Sequence, residues 1–233
     1  VCIVPMMNER KHGLDRLVAL GSPESQYSGC MIDPAMRDRK AVQDWMMALQ
    51  KSSRFDCLLF DALPARSALV AKTKGPGITF EREDTTMVMA LSPFETVEAY
   101  DASLTGKSRK NRKNKMRRLA QHGEVKLDVL HGGQAEYKTA LRLAMEWKRS
   151  WLEERGQPMA IDRDERLHTQ LADLPCDVTP ADGPIQGAVM FVLRVGGKSV
   201  AKEVGFVQGR HYYSYLGAYG RFDSGLAYTP VGY

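Results

Sequence analysis

The clearest alternation of apolar and polar residues lies in the C-terminal part of the chain, between Ala188 and Tyr233. Three strand-like runs follow one another with short turns between them: VMFVLRV, SVAKEVGFV and HYYSYLGAY. This pattern predicts three sequential strands of one sheet. The segment that follows, GRFDSGLAYTPVGY, is rich in small residues, so its backbone amides can approach a phosphate-bearing ligand closely. The pattern therefore predicts a site for an acyl carrier at this end of the sheet.

The first hundred residues show a mixed pattern of short apolar runs and one amphipathic segment. VCIVPMM and LDRLVALGS predict two strands around a turn at His12 and Gly13, and Asp38 to Lys51 carries one apolar helical face. FDCLLF, at 55 to 60, is typical of a buried strand, and TTMVMALS predicts another strand. Together they indicate a first α/β unit.

The second half begins with a helix-like segment that ends near Gly123, a glycine expected to cap the helix in a left-handed conformation. A strand, two helices and the three closing strands follow. The predicted elements are a helix from 107 to 121, a strand from 124 to 130, and helices from 134 to 155 and from 163 to 174. This order predicts an α/β or α+β fold with a mixed sheet. We expect two domains, residues 1–103 and 104–233.

Composition narrows the possibilities without naming a function. The chain has 233 residues, of which 43% are hydrophobic and 26% charged, as in an ordinary globular protein. Its four cysteines form no Cys-x-x-Cys pair and have no histidine at ligand spacing, so we expect reduced thiols and no metal. No apolar run is long enough to span a bilayer and no signal peptide opens the chain, which predicts a cytoplasmic protein. Val1 and Tyr233 predict a fragment cut at both ends.

One segment accounts for much of the net charge of +5. Between Lys107 and Arg118, eight of twelve residues are Lys or Arg. Like charges on one helix repel one another, so such a helix gains from an anionic neighbour. Lys107, Arg109 and Arg112 are the candidate anion-binding or substrate-binding residues. A solvated helix neutralised by Asp and Glu from elsewhere is the alternative.

Common catalytic signatures are missing. The GKS tripeptide at 106 to 108 lacks the earlier glycine of a nucleotide-binding loop, because Asp101 holds that position. The five histidines are scattered and form no metal or protease pattern, and no Gly-x-Ser-x-Gly elbow occurs. Nucleotide hydrolysis and serine hydrolysis are therefore disfavoured.

Several segments together resemble one known family. SLTGKSRKNRKNKMRRLAQHG, EWKRSW and GKSVAKEVGFVQGRHYYSYLGAYGRFDSGLAYTPVGY are similar to the BioF-like, CelD-type acetyltransferase domain associated with cellulose biosynthesis, in the GNAT superfamily. VCIVPMM and LVALGSPESQYSGCMID resemble the N-terminal portion of the same family. The resemblance implies a GNAT-like acyl-CoA N-acyltransferase fold with two such lobes. It also implies acyl-CoA, for example acetyl-CoA, as the co-substrate.

The resemblance also implies where the acyl donor binds. In GNAT-type sites the pantetheine arm lies between two splayed strands, and the pyrophosphate rests on the amides of the loop and helix that follow. Here the strand would be the one containing Leu216, Gly217 and Ala218. The loop would include Thr229 and Gly232, and Thr-Pro-Val-Gly stands where the family often has Ser-Pro-Gly.

Transfer from a thioester needs an oriented acceptor, a base and a donor to the developing negative charge. Glu203 is the candidate base, since Ala201, Gly205 and Val207 on its strand face are small or apolar. Its alternative role is a strand carboxylate that pairs with Lys202 or Arg194 or points to water. Tyr215 and Tyr219, with Tyr213, are candidate proton donors, although tyrosines in strands usually serve packing.

Two other functions stay open. A transferase that resembles the FemX-type enzymes would use aminoacyl-tRNA, with the basic helix against the RNA backbone. A non-catalytic module could retain the fold for contact with a polysaccharide or a protein. An acceptor in polysaccharide or cell-envelope metabolism follows from the resemblance alone.

Overall fold

The protein was analysed as a computed structural model, which describes residues 2–22, 25, 27–33, 39–51, 55–67, 69, 84–157, 165–177 and 185–220. The chain divides into two compact units, Val1–Thr86 and Met87–Tyr233. The division lies before the boundary expected after residue 103. That each unit is a GNAT-like lobe stays a prediction.

The first unit contains the predicted hairpin. Its strands β2 (Met6–Lys11) and β3 (Leu14–Ala19) are antiparallel, after a short β1 (Cys2–Ile3) that pairs with β4 (Met31–Ile32). The turn places His12 at φ 52° and Gly13 at φ 81°. Two consecutive residues with positive φ match the right-handed twist of a two-residue hairpin. The predicted turn is confirmed.

The remaining described elements of this unit are helix α1 (Arg39–Lys51) and strand β5 (Cys57–Leu59). Strand β5 pairs in parallel with β3, so the three-stranded sheet β2-β3-β5 contains both antiparallel and parallel pairs. The helix and the strand predicted from 38 to 60 are both confirmed.

The strand predicted for TTMVMALS is wrong. Residues 84–92 form no strand, and the side chains of Met87 and Val88 are 76% and 87% exposed. An apolar run becomes a strand only where a neighbouring strand satisfies its backbone groups. Among the described residues no strand pairs with this run.

The second unit follows the predicted order of helices and strands. Its elements are α2 (Val97–Ser103), α3 (Gly106–Ala120), β6 (Val125–His131), α4 (Ala135–Glu153), α5 (Glu165–Asp173), β7 (Cys176–Asp177), β8 (Gln186–Val195), β9 (Lys198–Gln208) and β10 (His211–Tyr219). The sheet runs β10-β9-β8-β6 with every pair antiparallel, and β7 pairs with the start of β8. The predicted α/β class and the meander of three closing strands are confirmed.

Helix α4 covers one face of this sheet. Tyr137, Leu141, Ala144 and Met145 of α4 are each at most 3% exposed. They pack with sheet residues at alternating positions, Ala188, Met190, Val192, Val204, Leu216 and Ala218. Full burial of a large apolar side chain stabilises a fold by roughly 1.5–3 kcal/mol. The helical spacing predicted this buried face correctly, and the opposite face carries apolar residues such as Val189 and Val195 together with Glu203.

Gly123 joins α3 to the sheet through a close approach of two backbones. Its φ is +135°, and a Cβ on it would lie 2.6 Å from the Cα of Gly196 in the β8–β9 turn. The glycine was predicted as a helix cap. The structure adds a steric reason for a glycine at this position, because a side chain there would clash with the β8–β9 turn.

All four cysteines are free thiols. No helix in the described ranges is long and apolar enough to cross a membrane.

We expect Gly123→Ala to lower the free energy of unfolding by roughly 2–4 kcal/mol, since it adds both backbone strain and a clash. Gly133→Ala is the matched control: Gly133 also has positive φ, +86°, but a Cβ there would meet nothing within 4 Å. The control should cost roughly 1–2 kcal/mol. Urea denaturation of both variants measures the difference, and equal losses would show that the clash is relieved by movement of the turn.

Candidate active site

Strand β10 contains a bulge that decides which of its side chains share a face. The pairing with β9 shifts between Ser214 and Leu216, so Tyr215 lies at an irregularity without a regular partner. Ser214 pairs with Gly205, and Gly217 pairs with Glu203. Side chains of directly opposed residues point to the same face of a sheet. Ser214 and Gly217 therefore lie on the Glu203 face, although they are an odd number of positions apart.

Glu203 lies in the middle of β9, on the face away from α4. Its Oε1 accepts a hydrogen bond from the hydroxyl of Ser214. Neither alternative partner is used: Arg194 Nε binds Asp128 at 2.5 Å, and Lys202, the next residue along β9, points into the α4 face. The alternative in which Glu203 pairs with Lys202 or Arg194 is therefore not what the described residues show.

Tyr219 reaches the same place from the end of β10. A Cβ built on Gly217 would lie 3.1 Å from Oε2 of Glu203 and 3.7 Å from the hydroxyl of Tyr219. The carboxylate and the phenol thus converge over a glycine that leaves space between them. Together with Ser214 they form a polar group on an open sheet face, where the side chain of Tyr219 is 44% exposed.

Tyr212 adds a second phenol to this face. Its ring lies over Gly205, where a Cβ would overlap it, and edge-on to Phe191 with 5.5 Å between ring centroids. Burial of the phenol, and secondarily the negative charge of Glu203, raise the pKa of Tyr212. The hydroxyl of Tyr212 therefore stays protonated at neutral pH.

Tyr215, predicted as a catalytic residue, is not brought to Glu203. Its ring packs edge-on against Phe206, 5.4 Å between centroids, beside the core under α4. Leu216 and Ala218 also face that core, at 6% and 1% exposed. Of the three strand residues predicted along the acyl donor, only Gly217 shares the face of Glu203. Thr229 and Gly232 lie outside the described residues.

Among the described residues, strand β10 pairs with a neighbouring strand along one edge only. Strands β9 and β10 are paired from His211 opposite Gln208 to Tyr219 opposite Ala201, with the one interruption at Tyr215. No opening exists between these two strands. Within the described part of the chain no strand pairs with the other edge of β10. The opening predicted between adjacent strands of the meander is therefore not found between β9 and β10.

Lys202 is a buried cation that sequence reasoning did not single out. Its side chain is 3% exposed, and its Nζ lies 3.6 Å from the ring centroid of Trp147 and has no hydrogen-bond partner among the described residues. Burial, and secondarily the positive charge of Arg194, lower the pKa of Lys202 to about 8. The signal in the sequence was a lysine at a position of β9 where alternation calls for an apolar residue.

Trp147 links this lysine to the end of β10. A Cβ on Gly220 would lie 2.8 Å from Cζ2 of the indole, and the amide of Gly220 donates to the carbonyl of Val200 at 2.9 Å. Gly220 is the last described residue before the loop that contains Thr229 and Gly232. The buried lysine and its indole thus support the start of that loop.

The three predicted anion-binding residues lie on α3, in different surroundings. Arg109 Nη1 donates to the carbonyl of Ala102 at 2.7 Å. Arg112 forms an ion pair with Asp101, and its guanidinium lies 5.7 Å from the ring centroid of Tyr100. These two arginines tie α3 to α2, whereas Lys107 is exposed in the first turn.

Replacing Lys202 by methionine should stabilise the protein at pH 7 by roughly 1–3 kcal/mol, because a buried charge is exchanged for an apolar chain of similar length. The native pKa, about 8, lies below the value of 10.5 for a free lysine. Between these pH values Lys202 is protonated in the unfolded chain but not in the folded one. The free energy of unfolding of the wild type therefore rises with pH, and the difference in stability between Lys202→Met and the wild type becomes smaller. Urea denaturation at pH 7 and pH 10 measures both effects.

Lys198→Met, on an exposed position of the same strand, is the control and should change stability little. A loss of stability in Lys202→Met at pH 7 would contradict the assignment of Lys202 as an unpaired buried cation.

Comparison with known proteins agrees with this fold. No group of three or more His, Cys, Asp or Glu that could hold a metal ion occurs in the parts of the chain that the structure covers. A search of curated proteins finds no match. The family model described as "Acetyltransferase (GNAT) domain" matches residues 106–227, more than half of the chain. The chain therefore belongs to the GNAT acetyltransferase domain family.

Proposed function

We propose that this protein transfers an acetyl or other acyl group from acyl-CoA to an amine or hydroxyl acceptor. The observation that supports the proposal most is the convergence of Glu203, held by Ser214, and the hydroxyl of Tyr219 over Gly217. A base and a proton donor on either side of a small residue are what acyl transfer from a thioester needs.

The residues of β10 fit the acyl donor. The pantetheine arm of CoA contains amides, and an unpaired strand edge offers backbone N–H and C=O groups that bind an extended chain. The bulge at Tyr215 interrupts regular pairing on this strand. Gly217 leaves room beside Glu203 for the acyl group. CoA supplies an acyl group that is already activated as a thioester.

The roles of the side chains follow from their chemistry. The nitrogen or oxygen of the acceptor attacks the thioester carbonyl, and Glu203 accepts the proton that this atom loses. A bond from the acceptor atom to the acyl carbon forms as the C–S bond breaks. The hydroxyl of Tyr219 donates a proton to the departing thiolate, which leaves as CoA thiol. The hydrogen bond from Ser214 keeps the carboxylate of Glu203 oriented toward Gly217.

The narrower assignment to the BioF-like, CelD-type group, and with it an acceptor in polysaccharide or cell-envelope metabolism, is a proposal supported by sequence resemblance alone. An aminoacyl-tRNA-dependent transferase and a non-catalytic binding module predict no binding of acyl-CoA. Calorimetric titration with CoA and acetyl-CoA therefore separates both from the proposed function.

We expect Glu203→Gln to lower kcat roughly 10²- to 10⁴-fold in an acetyl-CoA transfer assay with an amine acceptor, since it removes the base. The dissociation constant for acetyl-CoA should stay within about twofold, because the donor binds along the backbone of β10. Glu146→Gln, an exposed glutamate of α4, is the matched control and should leave both values unchanged.

Two results would contradict this proposal. An unchanged kcat in Glu203→Gln would assign the base to another residue. Absence of CoA and acetyl-CoA binding in the wild-type chain would point to a binding module.

A further inference from the structure

Helix α3 carries a strongly positive surface. None of its residues is buried, and its eight Lys and Arg side chains are all exposed. The helix forms despite their repulsion because Thr105 caps its first turn, accepting from the amide of Ser108 at 3.2 Å. Arg117 and Arg118 in the last turn also complement the helix dipole. A stable helix with this charge is a ready binding surface for an anion.

Two arginines on one side of α3 contact residues of α2. Arg109 and Arg112 bind the carbonyl of Ala102 and the carboxylate of Asp101. Met116, the one large apolar side chain of α3 that is more than half exposed, lies between these two arginines on the helical wheel. This side therefore faces α2 and is not the free surface.

The other six cations have no acidic partner among the described residues. They are Lys107, Lys110, Lys113, Lys115, Arg117 and Arg118. At 100° per residue they spread over about 200° of the helix circumference, and the helix is about 22 Å long. Because the cations cover more than half of the helix circumference, a ligand that contacts all of them must present anions on two sides of the helix. We call this set the cationic arc.

The shape of the cationic arc favours one class of polyanion. A flat anionic membrane meets only one side of a helix and also needs an apolar face to insert, which the arc lacks. Single-stranded nucleic acid binds through aromatic side chains on which bases stack, and α3 has none. The major groove of B-form DNA admits a helix and places a row of phosphates on each side of it.

We propose that the cationic arc of α3 binds the phosphate backbone of double-stranded DNA, with the helix lying in the major groove. Binding is non-specific in sequence, because lysine and arginine contacts to phosphates carry no base information. Duplex RNA is a poorer fit, since its major groove is too deep and narrow for a helix. The proposal does not depend on the acyl-transfer site.

The test is fluorescence anisotropy of a labelled 30-base-pair DNA duplex with the full chain at several salt concentrations. We expect micromolar or tighter binding at about 50 mM NaCl, and log K should fall with log salt with a slope between about −3 and −5. Lys110→Gln, Lys113→Gln and Arg117→Gln in one variant should weaken binding at least about tenfold and make the slope shallower by about 2 to 3.

The matched control removes the same charges elsewhere, through Lys11→Gln, Lys51→Gln and Arg210→Gln, all exposed positions outside α3. The control should lose less than about threefold in affinity, and thermal melts of both variants should match the wild type. Equal losses in the two variants, or no binding of the duplex at low salt, would overturn the proposal. Tighter binding to phosphatidylserine vesicles, or equal binding to polyglutamate, would also overturn it.

Discussion

The bulge at Tyr215 is the constraint on which the candidate active site depends. Strict alternation would put Tyr215, Gly217 and Tyr219 on one face of β10, and Ser214 on the other. One extra residue in the strand reverses the faces of everything after it. Ser214 before the bulge and Gly217 and Tyr219 after it then share the face of Glu203. Tyr215 is turned to the core, where it meets Phe206.

The register shift at Tyr215 also gives the two faces of the sheet different roles. Leu216 and Ala218 complete the packing under α4, because their parity after the bulge points them there. Glu203, Ser214 and Tyr219 lie on the opposite face, where Gly217 leaves space between Glu203 and Tyr219 that any side chain would narrow. The packing residues and the candidate catalytic residues thus lie on opposite sides of one strand, and no described strand pairs with its outer edge.

The basic residues of this protein occupy two opposite environments. On α3 they are solvated and repel one another, so their free energy falls when an anion approaches. Lys202 is buried, and the cost of removing its charge from water lowers its pKa while the face of Trp147 partly compensates. The indole also touches the chain at Gly220, so this buried cation is mechanically connected to the segment after β10. Net charge alone does not distinguish these two cases.

Much of the fold is determined by local pattern. The hairpin at His12 and Gly13, the buried face of α4 and the closing meander all follow from periodicity and turn residues, since these reflect nearest neighbours along the chain. The failure at Met87 to Leu91 has the opposite cause: a strand needs a partner, and no local pattern supplies one. The sequence also placed Glu203 and Tyr219 among the candidate catalytic residues, and it identified α3 as a basic helix. It could not show that Ser214 joins them, that Tyr215 leaves them or that Lys202 is buried under Trp147. Those facts depend on strand register and on packing between residues distant in sequence, which only the tertiary structure decides.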